Sequence, residues 1–458
     1  MPQAAKTVRN WTAGLLAVAA LSLGVSAEAA SGTGKGVFNP ETFTLENGLQ
    51  VVVVSNHRAP VVNHMVWYRV GGADDPLGRS GLSHYLEHLM FKGTKNLKPG
   101  EFSATMARNG ARENAFTSRD ATAYHQTIAK DRLGVAMRLE AERMRNLVFD
   151  PEEYEPEREV VLEERRSRVG NNPQAKLGEQ TAAVLHMNHP YRKPIIGWEH
   201  EIKAINGDDL RAFYQAHYGP NNAVLLLSGD ITAEEARPLV EKYYGPVPRN
   251  EAIQPRKRAR EPMATADRRV ELKDPRVRQP SWARHFLVAS YTEGETDLSY
   301  PLQVLSFVLS GGQTNPMYRS LVIDQGIAIS AGGYYDANVL GPGQFTFYGT
   351  PKPGVAIEDL EGAFNAEIDR LVAEGLSQEM VDRAKRNMQA QAIFARDSIS
   401  GGARSLGGSL IIGRSIEDVE NWPDRIGAVT LEEVNNALKK SFQGRASVIS
   451  QLLPGETG

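Results

Sequence analysis

The chain contains no cysteine among its 458 residues. Disulfide bonds and cysteine lipidation are therefore excluded, and an exported protein without disulfides is compatible with an oxidising periplasm. Charges of the two signs nearly balance, with 52 basic and 55 acidic residues, so the overall charge does not favour a nucleic-acid partner. No low-complexity tract is present, and the content of 41% hydrophobic and 23% charged residues is typical of a globular protein.

A long apolar stretch occurs only near the N-terminus. Residues 1–29 have the parts of a secretory signal peptide: the basic residues Lys6 and Arg9, an apolar stretch over 11–25, and Ala27-Glu-Ala29 as a cleavage site. The alternative is a short membrane anchor, but the stretch is too short and too rich in alanine and glycine to span a bilayer well. We therefore predict cleavage, a periplasmic location, and a soluble chain that does not contact the membrane after cleavage.

A short motif, His84-Tyr-Leu-Glu87-His88, is the strongest chemical signal in the sequence. On a helix, residues i and i+4 lie on one face, so the two histidines can bind one metal ion. Two neutral imidazoles and a carboxylate from elsewhere would form a three-ligand zinc site with an open position for water, which Glu87 could reach. This is the H-x-x-E-H pattern. The alternative is an amphipathic helix with two core or surface histidines.

An acidic helix is predicted to begin at Asp150-Pro151, which offer an N-cap residue and a proline in the first turn. Within it, Glu157 and Glu164 are seven residues apart, which is two turns, so they share a face. Taken alone, the mixture of acidic and basic residues in this helix favours a solvated surface.

The order of predicted elements indicates two similar halves, each containing strands and helices. In the first half, Asn47-Gly48 predicts the turn of a hairpin. We expect an N-terminal zinc-binding domain over 37–250, a linker over 251–268 and a homologous C-terminal domain over 269–458, with a separate core in each half.

Two further segments have an unusual composition. The basic run Gln254-Pro-Arg-Lys-Arg-Ala-Arg260 lies in the predicted linker. Such a run can bind an anionic partner, but a solvated interdomain segment is the favoured interpretation. In the second half, Gly401-Gly402 and Gly407-Gly408 predict loops or places of close packing.

Taken together, these segments make the chain beyond the N-terminal stretch resemble the M16 metallopeptidases, also called pitrilysins or inverzincins. More closely, it resembles the subfamily of short chains akin to mitochondrial processing peptidase. It rests on the H-x-x-E-H motif, on Val-Leu-Glu-Glu164, and on the strand Asn114-Ala-Phe-Thr-Ser-Arg-Asp-Ala-Thr122. The resemblance implies an α+β fold of two homologous α/β-sandwich halves, each a mainly antiparallel sheet covered by helices.

The resemblance also implies a role for individual residues. The residues implied to bind Zn²⁺ are His84, His88 and Glu164. Glu87 would be the general base, and Glu157 would orient a ligand. The residues implied to line an edge that pairs with the substrate backbone are Asn114, Ala115 and Phe116. We therefore predict a zinc-dependent endopeptidase that cleaves peptides or unfolded segments by attack of a zinc-bound water.

One stretch of the second half departs from the family pattern. Active members carry an arginine and a tyrosine seven residues apart, in a stretch that corresponds to residues 321–329 here. Val322 replaces the arginine and Ile329 the tyrosine, and neither side chain can stabilise an oxyanion by donating a hydrogen bond. We predict the catalytic subunit of a two-chain enzyme whose homologous partner supplies Arg and Tyr. The alternatives are a weak peptidase acting alone and a non-catalytic assembly or peptide-binding subunit.

Overall fold

The first half of the chain folds around a six-stranded sheet. The computed structural model describes residues 36–310 and 312–456, so the predicted signal peptide at 1–29 lies outside the described residues. The strands are β1 (Glu41–Thr44), β2 (Gln50–Ser55), β3 (Val61–Tyr68), β4 (Arg112–Thr117), β5 (Thr122–Ala129) and β6 (Ala223–Gly229). Their order in the sheet is β1-β2-β6-β3-β5-β4, which leaves β4 at one edge.

The centre of this sheet is formed by the most apolar segments of the first half. Every residue of β6 and the four valines of β2 are buried, and these two strands run parallel. Branched apolar side chains suit a strand that is covered on both faces. The predicted hairpin of β1 and β2 is confirmed, and Gly48 in its turn has a φ of 90°, a conformation that glycine adopts without strain.

The helices of the first half pack mainly on one face of this sheet. They are α1 (Leu82–Leu89), α2 (Glu101–Arg108), α3 (Leu133–Asn146), α4 (Pro151–Arg165), α5 (Pro173–Leu185), α6 (Glu199–Ala204), α7 (Gly207–His217) and α8 (Ala233–Tyr244). Apolar residues of α1, α2, α3, α7 and α8 form a continuous core with β2, β3, β5 and β6.

The second half repeats this architecture around a five-stranded sheet. Its strands are β7 (Arg268–Asp274), β8 (Ser281–Val288), β9 (Ala328–Asp336), β10 (Gly343–Pro351) and β11 (Val448–Pro454), in the order β7-β11-β8-β10-β9. Its helices are α9 (Ser299–Ser310), α10 (Pro316–Tyr318), α11 (Ile357–Glu374), α12 (Gln378–Ala395), α13 (Gly401–Ile411), α14 (Ile416–Glu420), α15 (Trp422–Ala428) and α16 (Leu431–Phe442). Each sheet has one parallel pair and is otherwise antiparallel. The predicted fold class is confirmed. In the described part of the chain, no helix is long and apolar enough to cross a membrane.

One helix of each half packs against the sheet of the other half. α5 packs against β7 and β11, and α13 packs against β3 and β6. A Cβ on Gly407 would lie 2.2 Å from Nε1 of Trp67, so only glycine lets α13 approach the indole this closely. Of the two predicted alternatives for Gly407-Gly408, close packing is therefore the correct one, and the segment is a helix rather than a loop. The division at 37–250, 251–268 and 269–458 stays a proposal, with α5 and α13 crossing it.

The basic run of the linker is held against the first half. Arg258 forms ion pairs with Asp74 and Asp120, and the three side chains are only 10%, 6% and 7% exposed. Arg256 donates hydrogen bonds to the backbone oxygen of Asp120 and to a backbone oxygen of α13. The interpretation of the run as a solvated segment is therefore wrong for these two arginines. Two buried carboxylates of the same chain require cations, and the linker provides one.

We expect Arg258→Met to destabilise the protein by about 3–5 kcal/mol, because Asp74 and Asp120 would remain buried without this cation. Urea unfolding of the full chain would show a lower midpoint. Lys257→Met is the matched control, because it removes the same charge from an exposed neighbouring position. Equal midpoints for the two variants would contradict this role of Arg258.

Candidate metal centre

The predicted metal-binding motif lies on α1, whose start is fixed by a buried carboxylate. Asp75 accepts hydrogen bonds from the backbone N–H groups of Gly81 at 2.7 Å and Ser83 at 2.9 Å. These groups have no partner within the helix, so the carboxylate satisfies them. Gly81 has a φ of +86°, and a Cβ there would lie 2.5 Å from the backbone oxygen of Ile196. Burial raises the pKa of Asp75 to about 7.

The apolar face of α1 sets the direction of its polar face. Leu82, Leu86 and Leu89 are buried and belong to the core of the first half. Residues four apart share a face, so His84 and His88 lie together, with ring centroids 4.8 Å apart. This face is turned toward α4, which packs against α1.

The acidic helix α4 brings two carboxylates to α1. Asp150 caps the helix, as predicted, by accepting a hydrogen bond from the backbone N–H of Glu152. Glu157 is 8% exposed, and the side chain of Glu164 is 19% exposed. Glu163, by contrast, points to solvent and its side chain is 68% exposed. The interpretation of α4 as a solvated helix is therefore wrong for the face that carries Glu157 and Glu164.

Three potential ligand atoms converge between α1 and α4. Oε2 of Glu164 lies 3.5 Å from Nε2 of His84 and 3.2 Å from Nε2 of His88, and all three atoms lie within 4.8 Å of one another. Tetrahedral zinc with bonds of about 2.0–2.2 Å separates its ligand atoms by roughly 3.3 Å. This oxygen of Glu164 is buried and has no hydrogen-bond partner among the described residues. A buried oxygen of this kind fits a bound cation, and the donor set fits zinc.

One further atom of His88 and one of Glu164 are held by neighbouring side chains. Nδ1 of His88 lies 2.9 Å from Oε1 of Glu157, whose other oxygen is 2.6 Å from Nζ of Lys92. With Nδ1 donating to Glu157, the lone pair of His88 is on Nε2, where a metal needs it. Oε1 of Glu164 is 2.6 Å from Arg168, which leaves Oε2 directed at the histidines.

Burial and mutual contact determine the ionisation of these residues. Burial and the neighbouring His88 lower the pKa of His84 to about 3, so its imidazole is neutral at pH 7. Burial opposes protonation of His88, but the hydrogen bond to Glu157 and the nearby negative charge of Glu164 outweigh it and raise the pKa to about 9. Metal binding near pH 8 must therefore displace a proton from His88.

Glu87 lies beside the ligand atoms, with its carboxylate directed at β4. It is 9% exposed, and its Oε2 accepts a hydrogen bond from Oγ1 of Thr117 at 2.6 Å. Burial raises the pKa of Glu87 to about 7, although the bond from Thr117 favours the charged form. A carboxyl group with such a pKa can take and release a proton near neutrality.

The predicted substrate residues lie on β4, whose outer edge pairs with no other described strand. Successive side chains of a strand point to opposite faces. Ala115 packs against the core on the side of α1, whereas Phe116 packs on the reverse face against Trp67, with ring centroids 5.2 Å apart. Asn114 is exposed and its Oδ1 accepts a hydrogen bond from the N–H of Ala115 at 2.9 Å. The structure therefore separates Phe116 from the metal ligands.

Four residues at the site were not assigned a role from the sequence: Lys92, Arg168, Thr117 and Asp75. Thr117 is two residues after Ala115, so strand alternation alone could have placed it on the side of Glu87. Asp75 gives no comparable signal, because it caps α1 from a preceding loop. The two family departures lie elsewhere: Val322 packs against the core of the second half, and Ile329 on β9 is 49% exposed.

Two family models match the chain. The model described as Insulinase (Peptidase family M16) matches residues 50–198, and the model described as Peptidase M16 inactive domain matches residues 204–388. The first match contains both α1 and α4, and therefore all the side chains that converge at the candidate metal centre.

Curated and solved relatives agree with these matches. The chain is 31% identical to the zinc protease PqqE of Helicobacter pylori, over 84% of this chain and 86% of that protein. It is 26% identical to a probable mitochondrial-processing peptidase subunit beta of Arabidopsis thaliana, over 91% of this chain and 79% of that one. A protease crystal structure from Helicobacter pylori matches with a TM-score of 0.84 and 28% identity, over 91% and 99% of the two chains.

The fold and these relatives define the class of the protein at the level of a family of peptidases whose chains have two similar halves. The chain belongs to peptidase family M16, which confirms the resemblance found in the sequence. The periplasmic protease PqqL of Escherichia coli shares the fold, with a TM-score of 0.76 and 20% identity, and the match spans 90% of this chain but 47% of PqqL.

We expect Glu164→Gln to lower the zinc content of the purified protein strongly, because the amide has no charge to offer the ion. Glu157→Gln should weaken zinc binding by about 10–100-fold, because it removes the partner that orients His88. Glu163→Gln is the matched control and should retain zinc, because its side chain is exposed. Elemental analysis after dialysis against a weak chelator would rank the three, and a greater loss in Glu163→Gln would contradict the ligand assignment.

Proposed function

We propose that the protein is a zinc-dependent endopeptidase that cleaves peptides or unfolded segments. The observation that carries the proposal is the convergence of Glu164 Oε2 with the two Nε2 atoms of α1, next to the buried Glu87. The names of several relatives as zinc proteases support it. A purely structural subunit would gain nothing from a buried carboxylate oxygen without a hydrogen-bond partner.

His84, His88 and Glu164 would hold the ion. Zinc in such a site lowers the pKa of water and polarises a peptide carbonyl. Glu87 would take a proton from the attacking water and pass it to the leaving amine as the C–N bond breaks. Thr117 would hold the carboxylate of Glu87, and Glu157 would keep His88 in the required tautomer.

We infer that an extended peptide adds to the free edge of β4. An unpaired strand edge offers backbone N–H and C=O groups to a peptide of any sequence. Thr117 joins this edge to Glu87 through its 2.6 Å hydrogen bond, so a peptide bound there would lie close to the general base. Asn114 would have to release the N–H of Ala115 to a substrate oxygen.

The second half supports a two-chain enzyme. Val322 and Ile329 offer no hydrogen-bond donors, so we propose that a homologous partner supplies an arginine and a tyrosine. The name of the Arabidopsis relative describes a subunit, and PqqL is about twice the length of this chain. Both facts are compatible with a site completed by a second unit of the same fold.

We also propose that the protein works in the periplasm after cleavage of residues 1–29. The proposal rests on the basic start, the apolar stretch and the Ala-x-Ala site of the sequence. The structural relative PqqL is a periplasmic protease, which is compatible with this location.

We expect Glu87→Gln to retain zinc and to lose turnover by about 100-fold or more, because it removes the proton acceptor without removing a ligand. In the unchanged protein, turnover should fall as the pH decreases through the pKa of Glu87. That pKa is about 7 without metal, and a bound cation would lower it. Peptide cleavage and zinc content measured on the same sample test the role of Glu87. Full activity of the variant would contradict the proposed mechanism.

We expect the zinc-loaded chain to cleave a mixed peptide pool efficiently only with a homologous chain that carries the missing arginine and tyrosine. The control is that partner with its arginine and tyrosine replaced by valine and isoleucine, as at positions 322 and 329 here. Equal cleavage by this chain alone would mean that it has its own oxyanion donors. Zinc binding without any cleavage would favour a non-catalytic peptide-binding subunit.

A further inference from the structure

A cavity of about 860 Å³ lies on the reverse side of β4 from the candidate metal ligands. Both sheets face it, and α5 and α13 close two of its sides. Its large apolar and aromatic lining residues include Trp67, Phe116, Leu177, Tyr334, Tyr348 and Ile411. Nothing in the proposed mechanism uses this space.

The cavity lining includes a sequence neighbour of Thr117, the residue that holds the proposed general base Glu87. Phe116 lines the cavity, and its neighbour Thr117 donates to Glu87 on the opposite face of the sheet. A peptide paired with the free edge of β4 would continue the same sheet, so its side chains would also alternate between the two faces. Every second side chain of the peptide would therefore be directed to the side of the cavity.

The charges around the cavity do not favour a charged occupant. Two arginines and two aspartates line it: Arg119, Arg404, Asp120 and Asp336. Asp120 is already paired with Arg258 and accepts a hydrogen bond from Tyr191. The guanidinium of Arg404 lies over the ring of Phe116, 5.7 Å from its centroid. With signs balanced, selection would come from the apolar lining.

The histidine on the cavity lining is neutral and satisfied. His285 lies 3.0 Å from Thr346 and 2.9 Å from Ser450 through its two ring nitrogens. Burial lowers its pKa to about 4, so it is uncharged at neutral pH. This wall of the cavity therefore adds no charge and offers no unsatisfied ring nitrogen to a charged ligand.

We propose that this cavity receives a large apolar or aromatic side chain of the substrate, at a position whose side chain points away from the metal ligands. The proposal rests on the proposed peptidase function and adds a substrate class to it: extended peptides with a bulky apolar residue at one fixed distance from the scissile bond. Burial of a phenylalanine side chain there would favour such peptides by about tenfold or more.

Gly178 offers a way to fill the cavity without disturbing the site. It lies on α5, lines the cavity, and a Cβ at this position would meet nothing within 4 Å. Gly178→Phe should therefore place a ring in the cavity, and replacing glycine inside a helix favours the helix. Gly362→Phe is the matched control, because Gly362 lies in α11, is exposed like Gly178 and also has open space at its Cβ, but does not line the cavity.

The test uses otherwise identical labelled peptides in which phenylalanine, alanine or aspartate is moved along the sequence. Cleavage is measured with the zinc-loaded chain and the partner chain if required, and binding with its zinc-loaded Glu87→Gln variant by fluorescence anisotropy. We expect phenylalanine at one position to raise kcat/KM and affinity by about tenfold over alanine or aspartate. Gly178→Phe should remove this preference, and Gly362→Phe should retain it.

The outcomes of these measurements distinguish the cavity assignment from the proposed peptidase function. Cleavage with the same phenylalanine preference in Gly178→Phe, or with no preference, would overturn the cavity assignment and leave the peptidase function intact. Position-specific binding that Gly178→Phe abolishes, without any cleavage, would support the cavity and overturn the proposed function. Neither binding nor cleavage of any peptide would overturn both.

Discussion

The contact between α1 and α4 is the interaction on which the candidate site depends. α1 presents two imidazoles and α4 presents two carboxylates, and the hydrogen bond from His88 to Glu157 connects the two helices. Buried carboxylates are stable only with partners, and Lys92 and His88 satisfy Glu157. This bond fixes the relative position of the two helices. Glu164 follows Glu157 by two turns of α4 and is therefore brought to Nε2 of His84 and Nε2 of His88.

The second half supports the site through a contact with Asp120, next to the substrate edge. Asp120, in the turn after β4, accepts hydrogen bonds from Tyr191 and from the backbone N–H of Leu340 in the second half. Arg258 of the linker joins the same carboxylate to Asp74, close to the start of α1. The substrate edge and the metal helix are therefore tied to the second half, although Val322 and Ile329 give that half no oxyanion donors.

Predictions from composition were wrong where burial determined the position of a side chain. A run of arginines has the same sequence whether it is solvated or paired with buried aspartates, so the positions of Arg256 and Arg258 were wrongly predicted. Glycine pairs likewise mark a loop or a close approach, and only the position of Trp67 shows why Gly407 lies inside a helix. Phe116 was assigned to the substrate edge, and its packing directs it to the reverse face.

The sequence by itself determined the features that depend on the periodicity of one element. The spacing of His84 and His88 places them on one helical face, and the Asn47-Gly48 turn specifies its hairpin. Family resemblance, rather than spacing, pointed to Glu164. Only the tertiary structure decided which elements meet: α4 with α1, Thr117 with Glu87, and the cavity between the two sheets. The physical reason is that periodicity orients a side chain within its own element, whereas contacts between distant elements depend on how their apolar faces pack.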